Sequence, residues 1–295
     1  MPPPDPSSPL DAARLDRLLS ASGRPWDPAL TLASTGSTQQ DLRRDVAERP
    51  LGLHHWRVLT AEVQSQGKGR AGAAWVAAPG SSVLMTLAAS LPLPPWLWPR
   101  ASLAAGLGAL DALPNLGLRL KWPNDLLFLG TSSEAAGSSE GGAGSWRKLG
   151  GILCERIVPA CSQGVWLCGI GLNVTEAPAH LPEVGVDLLG GALPAVSLRD
   201  LGGPLDRTAL AAALCIEIRR EVEAFCARQG RLDSHRLESH LAFLGEPIAV
   251  DLGAEGQREV LLEGLDASGG LRVRALTPGA PAEVLSPLHI RPLRR

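Results

Sequence analysis

The hydrophobic pattern of this chain changes character once, near residue 240, and that change limits what it can fold into. From Leu30 onward, strand-like runs (ALTLAS, RVLTAEV, SSVLMTLAAS, LRLKW, KLGGILCERIV and VWLCGIGLNV) are mixed with helical spacings, which requires an α+β or mixed α/β arrangement. Asp206 to Gln229 is the clearest helix. Asp206 is its N-cap, Leu210, Leu214, Ile218, Val222 and Phe225 form one stripe, and Gly230 closes it. An Ala/Leu-rich stretch predicts a second helix over Trp98 to Leu113. Beyond residue 240, GEPIAVDL, EVLLEGLD, GLRVRAL and AEVLSPLHIRPL are short strands divided by Gly, Asp and Pro, which predicts a small all-β, barrel-like domain. The chain therefore divides into a Pro/Ser-rich tail with one short helix (1–28), a mixed domain (29–240) and a β domain (241–295). Inside the mixed domain, GTSSEAAGSSEGGAG is too poor in apolar residues to form core and reads as a flexible hairpin insertion over 130–146.

Composition narrows the function. A net charge of −2 with 20% charged residues gives no basic field for holding nucleic-acid phosphates. The single helix predicted ahead of the first strand, with Leu10, Leu15, Leu18 and Leu19 at helical spacing, is too little for a helix-turn-helix head. Cys154, Cys161, Cys168, Cys215 and Cys226 contain no CxxC pair and read as buried thiols. No signal peptide opens the sequence, and no apolar run reaches the about 18 to 20 residues of a membrane span. The expectation is a cytoplasmic protein with no nucleic-acid partner and no membrane attachment.

Positive charge is carried by 25 arginines and only three lysines, and all three lysines fall in motif-like islands: Lys68 in QSQGKGRAG, Lys121 in LRLKWPND and Lys148 in WRKLGGILCE. A compact, rotatable ammonium in place of a planar fork marks these positions as candidates for chemistry. QSQGKGRAG matches GxGxxG through Gly67, Gly69 and Gly72. Pro79 and Gly80 follow too soon for the long helix of a dinucleotide fold, and no acidic residue stands at the ribose spacing. A P-loop fails as well, because Gly69 follows Lys68 where Ser or Thr is needed. What remains is a Gly-flanked loop with two cations, suited to a phosphate or to simple flexibility.

Five islands occur together: STGSTQQDL (34–42), TAEVQSQGKGRAGAAW (60–75), LKWPNDLL (120–127), KLGGILCE (148–155) and GIGLNV (169–174). In order and approximate spacing they resemble the biotin protein ligases, and the C-terminal β segment resembles that family's small SH3-like barrel. The resemblance covers nearly everything from Leu30 onward. It implies a mixed-sheet catalytic domain of the biotin/lipoate ligase type with no DNA-binding head. It also implies an ATP- and Mg²⁺-dependent ligase, which joins biotin to ATP as biotinyl-5′-AMP and transfers it to a lysine of a carboxyl carrier, of acetyl-CoA carboxylase or pyruvate carboxylase.

The same resemblance assigns roles. Lys148, Lys68 and Arg70 would offset the repulsion between a carboxylate and an α-phosphate, and the 67–72 loop, with Gly69, would order over the adenylate and exclude water. Ser37, Thr38, Gln39, Gln64, Gly151 and Gly169 fall at biotin-binding positions, as do Lys68, Gly69, Arg70 and Lys148. Lys121, Asn124, Asn173, Trp75, Gly67 and Arg291 fall toward ATP, with Asn173 also toward Mg²⁺. Asp125 would orient or deprotonate the acceptor lysine, whose free pKa is about 10.4. Gln39 departs from the family, which usually has Asn there, and Ala71 and Ala73 replace residues basic in some relatives. Residue chemistry alone leaves alternatives open: a plain Pro-Asn-Asp turn for KWPND, core packing for Trp75, and sheet bulges for Gly150, Gly151, Gly169 and Gly171. A lipoate ligase or octanoyltransferase, and a biotin sensor without catalysis, are the other functional readings. The oligomeric state stays open, although exposed sheet edges could pair two chains.

Overall fold

A computed structural model of the chain describes residues 8–52, 54–130, 145–158, 164–178, 193–252, 256–285 and 291–292. The tail 1–7, Cys161 and nearly all of the 130–146 insertion lie outside the described residues. Seven strands form the central sheet: β1 (Leu30–Leu32), β2 (Trp56–Ala61), β3 (Ser82–Ala89), β4 (Arg119–Lys121), β5 (Asp125–Gly130), β6 (Ser145–Ile157) and β7 (Val165–Asn173), in the order β1-β2-β3-β7-β6-β5-β4. β1 and β2 pair in parallel and every other pair is antiparallel, so the sheet is mixed, as the alternation of elements requires.

Among the described residues five α-helices accompany the strands: α1 (Ala12–Ser20), α2 (Thr38–Glu48), α3 (Ala101–Asp111), α4 (Arg207–Ala227) and α5 (Ser234–Ser239). In α4 the predicted stripe is buried, and the Asp206 side chain caps it through Ala209 N–H at 3.0 Å. α3 begins later than the spacing predicts. Pro95 and Pro99 hold Pro95–Arg100 in a 3-10 helix, so the α-helix starts only at Ala101. Small residues let α3 and α4 approach closely, and a Cβ on Gly108 would sit 2.5 Å from Ile218 Cα.

Period-two alternation gives the sheet two different faces. One carries Met85, Leu87, Cys168, Ile170, Leu172 and Ile152 into the main core with α1, α3 and α4. The other is covered at one end by α2, where Leu42 and Val46 pack on Leu59, Ala88, Val165 and Leu167.

The C-terminal strands β8 (Pro247–Asp251), β9 (Gln257–Leu265), β10 (Leu271–Ala275), β11 (Ala282–Leu285) and β12 (Arg291–Pro292) form an antiparallel sheet ordered β11-β10-β9-β8-β12. The core is continuous between the two sheets, because Val250, Val260, Leu262 and Val273 belong to the same cluster as Leu107 and Leu120. The thiols are less uniformly buried than their pattern suggests. Cys168 and Cys215 are buried, Cys154 and Cys226 are partly exposed, and all four are free. No helix among the described residues is long and apolar enough to cross a membrane.

Candidate active site

The sheet face left uncovered by α2 has a floor of glycines. Gly169, Gly171 and Asn173 alternate along β7 and so share a face; Gly171 pairs with Gly151 in β6, and Gly169 with Thr86 in β3. A Cβ on Gly169 would lie 2.4 Å from Gln39 Oε1, and one on Gly171 2.4 Å from Trp75 Cε2. No larger residue fits at either place while those side chains stay over the floor. Close approach therefore accounts for both glycines.

Two segments build the wall beside this floor. Ser37, in extended conformation, leads into α2, and Thr35 and Gly36 pair through their backbones with Ser65 and Gln66. Thr38 donates from its backbone N–H (2.8 Å) and its hydroxyl (2.9 Å) to Gln64 Oε1, and its hydroxyl also meets Thr86 Oγ1 at 2.8 Å. Ser37, Thr38 and Gln39 are all buried. Thr86 is a residue that the island pattern overlooked. The available signal was a hydroxyl at the centre of an otherwise apolar buried strand.

The GKGR loop folds back on itself. Gly69 N–H donates to Ala73 O (2.7 Å), Trp75 N–H donates to Gly67 O (2.9 Å), and Arg70–Gly72 makes a single 3-10 turn. This closure carries Trp75 onto Gly171 and leaves Lys68 and Arg70 exposed at the rim.

Charge gathers at the other edge of the floor. Lys148 Nζ stands 2.8 Å from Asp125 Oδ1 and 5.8 Å from the centre of the Trp75 ring, and Lys121 Nζ lies 4.0 Å from Asp125 Oδ2. All three charged side chains are largely buried, so their fields are weakly screened. Asn124 holds the KWPND turn to β6, donating through Nδ2 to Ile152 O at 2.9 Å and accepting Ile152 N–H on its own carbonyl at 2.8 Å. Arg291 pairs through its backbone with β8, and its side chain lies outside the described residues.

Three buried polar atoms around the floor have no hydrogen-bond partner among the described residues: Gln39 Nε2, Trp75 Nε1 and Asn173 Oδ1. Asn173 is 2% exposed and its Nδ2 donates to Val196 O at 3.2 Å, which fixes the orientation of the unpaired oxygen. Leaving such groups unmade costs about 1–3 kcal/mol each, and natural proteins tolerate that mainly where a ligand, ion or water supplies the partner. Two donors, one acceptor and the Lys148–Asp125 pair thus converge on a backbone floor. Such a surface can take a flat, polar heterocycle at one end and an anion at the other.

The profile of the biotin/lipoate A/B protein ligase family matches residues 33–173, a span that holds the first four islands and the last as far as Asn173. The chain is 36% identical over 227 residues to a biotin–[acetyl-CoA-carboxylase] ligase of Mycobacterium tuberculosis, covering 73% of this chain and 70% of that protein. It is 30% identical to a ligase of the same name from Paracoccus denitrificans, covering 76% and 86%. Among solved structures, a biotin protein ligase from Aquifex aeolicus in complex with biotin and ATP superposes with a TM-score of 0.65 at 22% identity, over 90% of this chain and 99% of that one, and so shares its fold. By its sequence, its two sheets and the residues gathered on the glycine floor, the chain belongs to the biotin protein ligases of the biotin/lipoate A/B protein ligase family.

Proposed function

We propose that the protein is an ATP-dependent biotin–[acetyl-CoA-carboxylase] ligase. A biotin carboxylate oxygen attacks the α-phosphorus of ATP, pyrophosphate leaves, and biotinyl-5′-AMP forms. A lysine amine of the carrier then attacks the acyl carbon, AMP leaves, and the amine loses a proton as the amide forms. The observation that carries this reading is the convergence of Gln39 Nε2, Trp75 Nε1 and the Lys148–Asp125 pair on one face of β6 and β7.

In this reading Gln39 and Gln64 meet the ureido ring, whose carbonyl accepts and whose N–H groups donate. The Lys148 ammonium sits where carboxylate and α-phosphate must approach, and it stabilises charge that builds up during attack. Asp125, already bonded to Lys148, orients the incoming amine. Trp75 covers the reacting end and limits water. Mg²⁺ would neutralise phosphate charge. Among the described residues no three His, Cys, Asp or Glu side chains cluster as a metal site, so the ion would be carried mainly by ATP, with Asn173 Oδ1 as the protein oxygen suited to it or to its water. The carrier would be a biotin carboxyl carrier domain of acetyl-CoA carboxylase or of pyruvate carboxylase.

The test is pyrophosphate release from ATP and Mg²⁺ with biotin or with lipoate, without acceptor, for wild type and Lys148→Ala. Release with biotin, lost in the variant, supports the ligase. Release with lipoate alone moves the chain to the sister activity, and release with neither points to a sensor.

A further inference from the structure

The loop that carries Gln64, Arg70 and Trp75 leaves the sheet at Glu62 and returns at Gly80, and its two ends meet where Gly80 N–H donates to Glu62 O at 3.4 Å. Beneath this junction lies a largely buried ion pair that the reaction itself does not use. Arg207, the first residue of α4, is 1% exposed at its side chain, and its Nη1 donates to Glu62 Oε2 at 2.6 Å. Its Nη2 donates to Ser8 O at 2.7 Å, and the other Glu62 oxygen accepts the backbone N–H of Leu10. Neighbouring contacts tie the N-terminal segment to the start of α4: Asp11 N–H donates to Thr208 Oγ1 at 3.1 Å, and Arg14 Nη1 to Asp206 Oδ1 at 2.9 Å. Gly80 lies against the pair, where a Cβ would make ordinary contact with Arg207 Nη2 (3.7 Å) and Glu62 Oε2 (3.8 Å), and it is the φ of +70° that favours glycine at this return. The return end is fixed as well, because Ser81 O accepts the N–H groups of Val174 (3.0 Å) and Thr175 (2.9 Å), directly after Asn173.

We propose that Glu62 and Arg207 are positioning residues: their buried pair, locked by the segment Ser8–Arg14, holds the root of the 63–80 loop so that Gln64 and Trp75 lie over the glycine floor and keep the acyl-adenylate from water. This rests on the ligase reading above. A buried pair is seldom retained for stability alone, because desolvation offsets most of its attraction. What it supplies is a fixed geometry, and a misplacement of about 1 Å at a reacting site can cost as much as 100-fold in rate.

The experiment compares wild type, Glu62→Gln and Arg207→Lys in the full chain, by AMP formed without acceptor, by the biotin KM and kcat of carrier biotinylation, and by Tm. Leu10→Pro removes one N–H donor to Glu62 while leaving the ion pair, and serves where the charge variants fold poorly. Arg219→Met is the control: it breaks another buried Arg pair, with Glu223, and touches nothing in the loop. We expect uncoupled AMP formation and biotin KM to rise about tenfold in Glu62→Gln and Arg207→Lys. Leu10→Pro should move both in the same direction by less, and Arg219→Met should lower Tm without moving either. Loop-root variants that match wild type, or that match Arg219→Met at equal loss of Tm, overturn the proposal. A wild type that releases no pyrophosphate from ATP with biotin overturns the ligase reading before any variant is compared.

Discussion

Lys148 and Gly151 stand three residues apart on β6, yet both face the same side of the sheet. Strict alternation would place them on opposite faces. The ladder between β5 and β6 slips between Leu126 and Leu127: Leu126 pairs with Gly150 and Leu127 with Lys148, leaving Leu149 as the extra residue. Leu149 is fully buried in the core on the far face, and the slip turns Lys148 toward Asp125, which pairs with Gly151. The bulge re-aims a single side chain, and the ammonium it delivers sits at the edge of the glycine floor.

Asp125→Asn separates the two half-reactions. The substitution keeps the shape but removes the carboxylate 2.8 Å from Lys148. Adenylate formation should persist within about tenfold, because Lys148 keeps its charge, whereas transfer to the carrier lysine should fall about 100-fold or more. Single-turnover measurement of each step decides the matter, and equal losses in both would contradict a role on the acceptor side.

Gly171→Ala drives a methyl group into Trp75 and should raise the KM for biotin and ATP about tenfold or more, with a smaller effect on Tm. Trp75→Ala has its own cost, yet the two should not add, since removing the indole removes the clash. A double variant whose loss equals the sum of the single losses would show that Gly171 serves something other than close approach.

Much of this was legible in sequence. Each strand expected from alternation is found, including β7, whose buried centre reads directly from VWLCGIGLNV, and the five islands do meet on one face. What escaped has physical reasons. The slip at Leu149 depends on which residues of β5 and β6 pair, and no local spacing encodes that choice. Glu62 and Arg207 are 145 positions apart, and charged residues are expected at the surface until the fold buries them as a pair. Pro95 and Pro99 were visible in the sequence and should have shortened the predicted helix. For Asn124 both readings concern the same turn, and its amide nitrogen is taken up in holding that turn to β6.

Acid should weaken the join between α1 and α4. Burial pushes the Asp206 carboxyl up, but hydrogen bonds from Arg14 and from the backbone of Ala209 and Thr208, with the Arg14 charge, outweigh it and hold the group below the usual carboxylate range. A folded-state pKa below the unfolded value of about 3.9 contributes stability above that value and loses it as pH falls through the folded value. Arg14 is about a third exposed, so the contribution is modest, about 1 kcal/mol. Asp206→Asn, which keeps a capping side chain, should therefore be less stable than wild type at pH 7, with the gap closing below about pH 4. Urea unfolding at both pH values tests this, and a gap independent of pH would rule it out.

Trp122, inside the KWPND island, joins the two sheets. Its Nε1 donates to Gly269 O at 2.9 Å in the turn between β9 and β10, in a buried contact. That turn is preformed, because Asp266 Oδ1 accepts the N–H groups of Ser268 (2.9 Å) and Gly270 (2.8 Å), and Gly269 has φ +80°. A Cβ on Gly269 would meet Leu103 Cδ1 at 2.7 Å and Leu232 Cδ1 at 2.8 Å, so the turn is seated in a socket shaped by the catalytic half. Trp122→Phe leaves Gly269 O buried and unpaired and should cost about 1–3 kcal/mol. Gly269→Ala should cost more, since it adds positive-φ strain to a clash with two leucines. Because the apolar cluster runs without a break from α3 to β10, both variants should still unfold in one transition followed by circular dichroism. Two separate transitions in the wild type would show instead that the C-terminal sheet is a passenger, and that the KWPND turn keeps its place over Lys148 without it.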